Sequence, residues 1–246
     1  MGANQLSLKI AHLYPKLLNL YGDRGNILAL QKRCQWREIE IQIEEINIGD
    51  SINPDDFDIY FIGGGQDKQQ VAVSVELQNQ KEKLQYAAQN NAVFLGICGG
   101  YQLFGKYYLT GENSRLEGIN LLDVYTKAGT KRLISNVCAR CEFIPSKTIV
   151  GFENHSGLTY LEGSTTPIAK IITGNGNNGS DKTEGARKNN VFGTYLHGSF
   201  LPKNPEFADY LIKLALDRKY QDNIALSPLD DTIETDLQKQ LSRKNF

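Results

Sequence analysis

The chain has 246 residues, 40 % of them hydrophobic and 22 % charged, the composition of one large globular domain with at most a small appendage. A formal net charge of −1 offers no electrostatic case for nucleic acid or an anionic membrane surface. No apolar run approaches the roughly 20 residues of a membrane span. The opening MGANQLSLKI lacks the long apolar core of a secretion signal, so the chain reads as cytoplasmic. Gly2 fits a myristoylation pattern poorly, because Ser7 lies one place past its hydroxyl position.

In chain order, Leu6 to Leu13 alternates and predicts a first strand. Tyr21-Gly-Asp-Arg-Gly-Asn26 follows, and its Asp23, Gly25 and Asn26 read as turn and N-cap chemistry. Ile27 to Arg37 suits an amphipathic helix, Glu38 to Ile46 a second strand, and Phe57 to Ile62 a third that runs into Gly63-Gly64-Gly65. A long helix of mixed charge covers Val71 to Gln89. Ala92 to Ile97 is a short apolar run of the kind buried on both faces of a parallel sheet. Cys98 comes next, crowded by Gly96, Gly99 and Gly100, and Gln102 to Lys106 suits a helix. This alternation predicts an α/β protein with a mostly parallel sheet, and ligands in such folds bind beyond the carboxyl ends of the strands. The second half is richer in strands, predicted at Ile119 to Thr126, Val137 to Ile144, Thr148 to Glu153, Ile168 to Thr173 and Val191 to Leu196. Gly174 to Gly185 reads as a flexible loop, Pro205 to Lys219 as a helix, and the tail from Pro228 as a polar helix.

The chemistry concentrates at Cys98. A nucleophile at a strand–turn–helix elbow is aimed out of the sheet, and the free N–H groups and dipole of a helix start favour the thiolate. Such a cysteine needs an imidazole partner. Three histidines are present, His12, His155 and His197, all near predicted strand ends, and position alone does not choose among them. A negative oxygen formed by attack on a carbonyl needs backbone donors. Gly99 offers one, and the Gly63-Gly64-Gly65 turn a second. Cys138 and Cys141 have the spacing of half a zinc site without the other half, so they read as packing residues, as does Cys34.

Together these motifs resemble a family. Gly96-Ile-Cys98-Gly-Gly-Tyr-Gln102 is similar to the nucleophile motif of class I (triad-type) glutamine amidotransferases. Gly63-Gly-Gly65 resembles their oxyanion strand and Gly193-Thr-Tyr-Leu-His197-Gly their histidine strand. Tyr21 to Asn26, Phe61 to Asp67, Gly151 to His155, Gly174 to Asn178 and Leu196 to Pro202 extend the likeness to the cobyric-acid-synthase-like branch, over about Leu6 to Lys219. Within that branch the chain is similar to the glutaminase subunits of two-protein enzymes that amidate lipid II.

The resemblance implies a flavodoxin-like three-layer class I amidotransferase fold over residues 1–220, with a helical tail at 221–246. It implies L-glutamine as substrate, Cys98 as nucleophile and His197 as acid and base. Gly99 and Gly64 or Gly65 N–H groups would hold the oxyanion. Arg132 matches the family's glutamine-binding arginine, and a guanidinium suits a substrate carboxylate. Gln102, one helical turn after Cys98, would contact substrate or cap the elbow. The implied partner is a Mur-ligase-like subunit, MurT, in a heterodimer that meets the membrane only through lipid II. ATP and metal would lie on that partner, with no cofactor in this chain, and nothing here matches a GxxxxGK[ST] loop.

One position departs from the wider class. Two residues after the histidine, where a glutamate usually steadies the imidazole, stands Ser199. That leaves a Cys98–His197 dyad or an acid from elsewhere, and a partner subunit is the expected source. Rival readings are an amidotransferase with a cobyrate-type acceptor, a cysteine peptidase on the same scaffold, and a binding subunit with an inert cysteine pocket. The chain shows no N-terminal dethiobiotin-synthetase-like domain, which argues against a fused cobyrate synthase.

Overall fold

The computed structural model describes residues 5–112 and 114–243, so Gly2 and the last three residues of the tail lie outside the described residues. The central sheet collects β1 (Ser7–Leu13), β2 (Glu40–Ile46), β3 (Ile59–Ile62), β4 (Val93–Ile97), β11 (Ala186–Lys188) and β12 (Val191–Thr194). Their spatial order is β11-β12-β4-β3-β1-β2, and all neighbours are parallel except the β11–β12 edge pair. Every residue of β3 and β4 is buried, as their unbroken apolar sequences require of strands covered on both faces. Edge strand β2 alternates instead, with its glutamates outward.

The expected helices form as α1 (Arg24–Gln35), α2 (Asp67–Gln89), α5 (Pro205–Tyr220) and α6 (Thr232–Arg243). The helix after Cys98, α3 (Gly99–Phe104), stops before Lys106 because the chain turns at Gly105 into β5 (Tyr107–Leu109). There a Cβ would lie 2.8 Å from the Val124 carbonyl oxygen, so only glycine fits the close approach.

The second half forms a separate sheet in the order β10 (Thr183–Glu184), β9 (Ala169–Thr173), β7 (Val124–Arg140), β5, β6 (Arg115–Glu117), with β8 (Thr148–Leu161) paired on β7. Here the expected boundaries are corrected. Rather than two strands at Ile119 to Thr126 and Val137 to Ile144, a single long β7 (Val124–Arg140) runs antiparallel to β8 (Thr148–Leu161). Its middle is polar and exposed, which breaks the apolar pattern, and its register slips between Ala128 and Leu133. The short β6 (Arg115–Glu117), β9 (Ala169–Thr173) and β10 (Thr183–Glu184) complete the sheet. The loop expected to be flexible around Gly174 is held in place. The Asn175 and Gly176 N–H groups donate to the buried Glu153 carboxylate at 2.7 and 2.8 Å, and Asn177 Nδ2 donates to the Gly185 carbonyl at 2.8 Å.

The tail folds back on the body. Arg33, only 4 % exposed, gives a two-pronged grip to Asp209 on α5 and to Asp231 just before α6, with contacts of 2.6 to 2.8 Å. Gln238 on α6 donates to the Thr148 carbonyl of β8 at 2.8 Å.

Glu184 is fully buried beneath β12, and its Oε1 accepts the Thr194 hydroxyl at 2.6 Å and the Tyr195 N–H at 3.0 Å. Burial outweighs these bonds and pushes its carboxyl up to about 7. Above the unfolded value near 4.5 the unfolded chain releases this proton while the folded chain keeps it. The group's contribution to stability therefore falls as pH rises from there to about 7. Glu184→Gln keeps the acceptor oxygen and is expected to raise Tm at pH 8 by about 2–4 °C relative to the parent, with a smaller gain at pH 5. Melting curves at the two pH values check this, and a larger relative gain at pH 5 would contradict it.

Candidate active site

Two loops at the carboxyl edge of the central sheet converge on Cys98. The cysteine sits between β4 and α3 with φ 49° and ψ −101°, a conformation rare for a residue with a Cβ. Its N–H donates to the Thr194 carbonyl at 2.8 Å, which ties the elbow to the strand leading to His197. Gly100 permits the turn, since a Cβ there would lie 2.6 Å from the Ile62 carbonyl oxygen. The helix behind the thiol is only six residues long, so the dipole expected to favour the thiolate is small.

His197 supplies the stronger influence. It lies beyond the end of β12, fully buried, with its N–H donated to the Phe152 carbonyl of β8 at 2.7 Å. Cys98 and Asp23 lie beside its ring. Burial pulls the imidazole down, but Cys98 and Asp23 outweigh it and push the group up to about 10. An imidazolium is thus available beside the sulfur at neutral pH.

Asp23 is the residue the sequence reading missed. Read as a cap for α1, it makes no side-chain cap bond and turns inward, fully buried. Its Oδ2 accepts the Gly64 N–H at 2.6 Å, and its Oδ1 lies 3.6 Å from His197 Nδ1. A Cβ on Gly64 would sit 3.0 Å from the His197 ring, 3.2 Å from Asp23 and 3.4 Å from the Cys98 side chain, so all three groups surround that glycine. The Gly64 N–H, one of the expected oxyanion donors, is already given to Asp23. Ser199, at the position expected to hold an acid, donates its hydroxyl to the Gly22 carbonyl at 2.6 Å. It docks the loop that carries Asp23. Gly25 permits that docking, since a Cβ there would fall 2.1 Å from Ser199 Oγ.

Cys98 opens into a cavity of about 600 Å³ that also takes in Gly65, Gln70, Gln102, Arg132 and His155. Arg132 reaches it from the slipped stretch of β7 and pairs with no carboxylate among the described residues. Gln102 does not cap the elbow. Its amide nitrogen lies 3.2 Å from the Tyr195 hydroxyl, and its Oε1 is buried without a hydrogen-bond partner among the described residues.

The other histidines are placed differently. His155 stacks on Tyr195 with ring centroids 3.6 Å apart, and its Nδ1 lies 2.7 Å from the Gly157 carbonyl oxygen. His12 is buried against Phe61, and burial lowers it to about 4, so it stays neutral. Among the described residues no three His, Cys, Asp or Glu side chains are grouped to hold a metal ion. Cys34, Cys138 and Cys141 are buried and unpaired, in keeping with packing roles.

A CobB/CobQ-like glutamine amidotransferase domain matches residues 9–205. The chain belongs to the CobB/CobQ-like glutamine amidotransferase family. It is 42 % identical over 231 residues to the lipid II isoglutaminyl synthase (glutamine-hydrolyzing) subunit GatD of Staphylococcus aureus strain N315, spanning 94 % of this chain and 92 % of that one. The corresponding subunit of Streptococcus pneumoniae strain R6 is 37 % identical, over 96 % and 90 % of the two chains. A probable cobyric acid synthase of Methanocaldococcus jannaschii is 33 % identical over 73 % of this chain but only 38 % of its own length. Among solved structures, PurLQS from Thermotoga maritima aligns with a TM-score of 0.56 at 17 % identity, over 88 % of this chain and 96 % of that one. A glutamine amidotransferase of known structure aligns with a TM-score of 0.58 at 14 % identity, over 83 % of this chain and 98 % of that one. The amidotransferase fold and a glutamine-hydrolysing activity are therefore those expected from the sequence.

Proposed function

We propose that this amidotransferase is the glutaminase subunit of a lipid II isoglutaminyl synthase and passes ammonia to a Mur-ligase-like partner, MurT. The observation that supports the chemistry is that Cys98 and Arg132 line one cavity, with His197 buried beside Cys98. Similarity to the two GatD subunits over nearly the whole chain supports the assembly and the acceptor.

Arg132 pairs with the α-carboxylate of glutamine, and the buried Gln102 Oε1 accepts from its α-ammonium group. The Cys98 thiolate attacks the side-chain carboxamide carbon, and the Gly65 and Gly99 N–H groups hold the oxygen as it becomes negative. His197 gives its proton to the departing nitrogen, which leaves as ammonia and a γ-glutamyl thioester. The neutral imidazole then takes a proton from water, the hydroxide attacks the thioester, and glutamate leaves with the thiolate restored. This chain uses no cofactor of its own. ATP and metal would be held by the partner, which would activate the α-carboxyl of D-glutamate in the stem peptide for ammonia to form D-isoglutamine. The reaction takes place in the cytoplasm, and no helix among the described residues is long and apolar enough to cross a membrane.

Co-purification with a Mur-ligase-like partner, followed by glutamine-dependent amidation of lipid II, tests the whole reading. Amidation of a cobyrate-type acceptor instead would overturn the acceptor, and absence of glutamate release from the complex would overturn the chemistry. Arg132→Ala is expected to raise the glutamine KM by about 10²-fold, the scale of one lost charge-assisted carboxylate pair, with Tm unchanged. Kinetics beside a melting curve check this, and an unchanged KM would remove Arg132 from the binding site.

A further inference from the structure

We infer that Asp23 is the positioning residue of His197, so that this chain carries its own third member of the catalytic group. The inference rests on the glutaminase reading of Cys98 and His197. Three observations carry it. First, Asp23 is fully buried, and Arg24, its chain neighbour, is exposed. A buried carboxylate without a cation is expensive unless its oxygens are used. Second, both oxygens are aimed at the site, Oδ2 at the Gly64 N–H (2.6 Å) and Oδ1 at His197 Nδ1 (3.6 Å). The second distance is that of an ion pair, and catalytic hydrogen bonds commonly tighten when substrate binds. Third, the segment after the histidine is built to hold this loop. Ser199 Oγ donates to the Gly22 carbonyl at 2.6 Å, and Asn26 Oδ1 accepts the Leu201 N–H at 2.8 Å. The position that lacks a glutamate thus anchors the turn that brings an aspartate.

With Nδ1 facing Asp23, Nε2 is the nitrogen left for Cys98. A carboxylate there selects the tautomer that accepts the thiol proton and stabilises the imidazolium that results. The same carboxylate fixes the Gly64 peptide, so it sets the ring and the oxyanion turn in one geometry. The charged and titratable neighbours are few. Cys98 faces the ring from the elbow and Asp23 from the loop before α1. Lys203 on α4 (Phe200–Lys203) donates to the Gly198 carbonyl at 2.6 Å, and buried His12 feels Arg24, which lowers it, and Asp23, which raises it.

Asp23→Asn tests this in the full chain. The amide keeps an acceptor for Gly64 but presents N–H to Nδ1, which forces the proton onto Nε2. Alkylation of Cys98 by iodoacetamide is followed from pH 5 to pH 10 by mass spectrometry of the Cys98 peptide. We expect D23N to react up to about tenfold more slowly below the midpoint, with its rise displaced upward by about one pH unit. Glutaminase kcat should fall with KM nearly unchanged, and Asp23→Glu should keep the parental midpoint. A D23N profile that superimposes on the parent's overturns the inference, as does a D23E midpoint equal to that of D23N. Should D23N not fold, Asp23→Ser is judged by the same profile. Alkylation needs no glutamine. A parent chain that shows the profile while its complex hydrolyses no glutamine therefore sinks the glutaminase reading and leaves this inference standing.

Discussion

Cys98→Ala is expected to lower glutamine-dependent amidation by more than about 10⁴-fold, while the same complex supplied with ammonium salts continues to amidate its acceptor. The scale follows from removing a covalent nucleophile, because the remaining oxyanion donors and substrate contacts retain only a residue of the acceleration. The fold should tolerate the change. The side chain is small, it sits at the cavity floor with 9 % of its surface exposed, and the backbone bond from Cys98 N–H to the Thr194 carbonyl does not depend on it. The elbow holds φ at 49° in either variant, so alanine bears the same backbone strain as cysteine. Separate glutamine- and ammonia-dependent rates check the prediction. Equal loss of both would mean that Cys98 supports the assembly rather than the chemistry.

His197→Ala is expected to be nearly as damaging to glutamine hydrolysis, and His155→Ala is not. His197 lies beside Cys98 and faces Asp23, and the two push its imidazole up to about 10 against the effect of burial. Its loss removes both the acid for the departing ammonia and the partner of the thiolate, a cost of about 10³–10⁴-fold or more. His155 lines the same cavity, but its ring is engaged structurally. It stacks on Tyr195 at 3.6 Å, its Nδ1 is taken by the Gly157 carbonyl oxygen, and its Nε2 lies 3.8 Å from Glu153. Removing it leaves a hole beside the buried Glu153, so the expected result is a Tm lower by several degrees, the shift that about 1–3 kcal/mol gives. Glutaminase kinetics and melting curves on the two variants decide. Loss of kcat in His155→Ala with parental kinetics in His197→Ala would reverse the assignment.

What could be read in advance follows from how locally each feature is encoded. The parallel sheet was legible because Ile59 to Ile62 and Ala92 to Ile97 are continuous apolar runs, the pattern of a strand buried on both faces. The elbow was legible because Cys98 follows such a run and is flanked by glycines. The long β7–β8 pair was not, since its exposed polar middle resembles a connection between two strands. Asp23 was hidden for a related reason. In Tyr21-Gly-Asp-Arg-Gly-Asn26 an aspartate just before a helix looks like a cap, and only the packing of Ser199 against Gly22 and Gly25 turns it inward. The partial clue was Ser199 itself, a missing carboxylate beside a histidine that needs one. The same packing explains why Gly64, expected to donate to an oxyanion, is already bonded.

The most direct test of the account is covalent. A diazoketone analogue of glutamine, 6-diazo-5-oxo-L-norleucine, places an electrophilic carbon near the position of the carboxamide and is trapped by a competent nucleophile. Incubation with the chain, alone and with its partner, followed by peptide mass spectrometry, should show one adduct, on Cys98. Excess glutamine should suppress it, and Arg132→Ala should weaken it. No adduct in either state, or an adduct on Cys34, Cys138 or Cys141 with Cys98 untouched, would contradict the assignment of this cavity as a glutamine-hydrolysing active site.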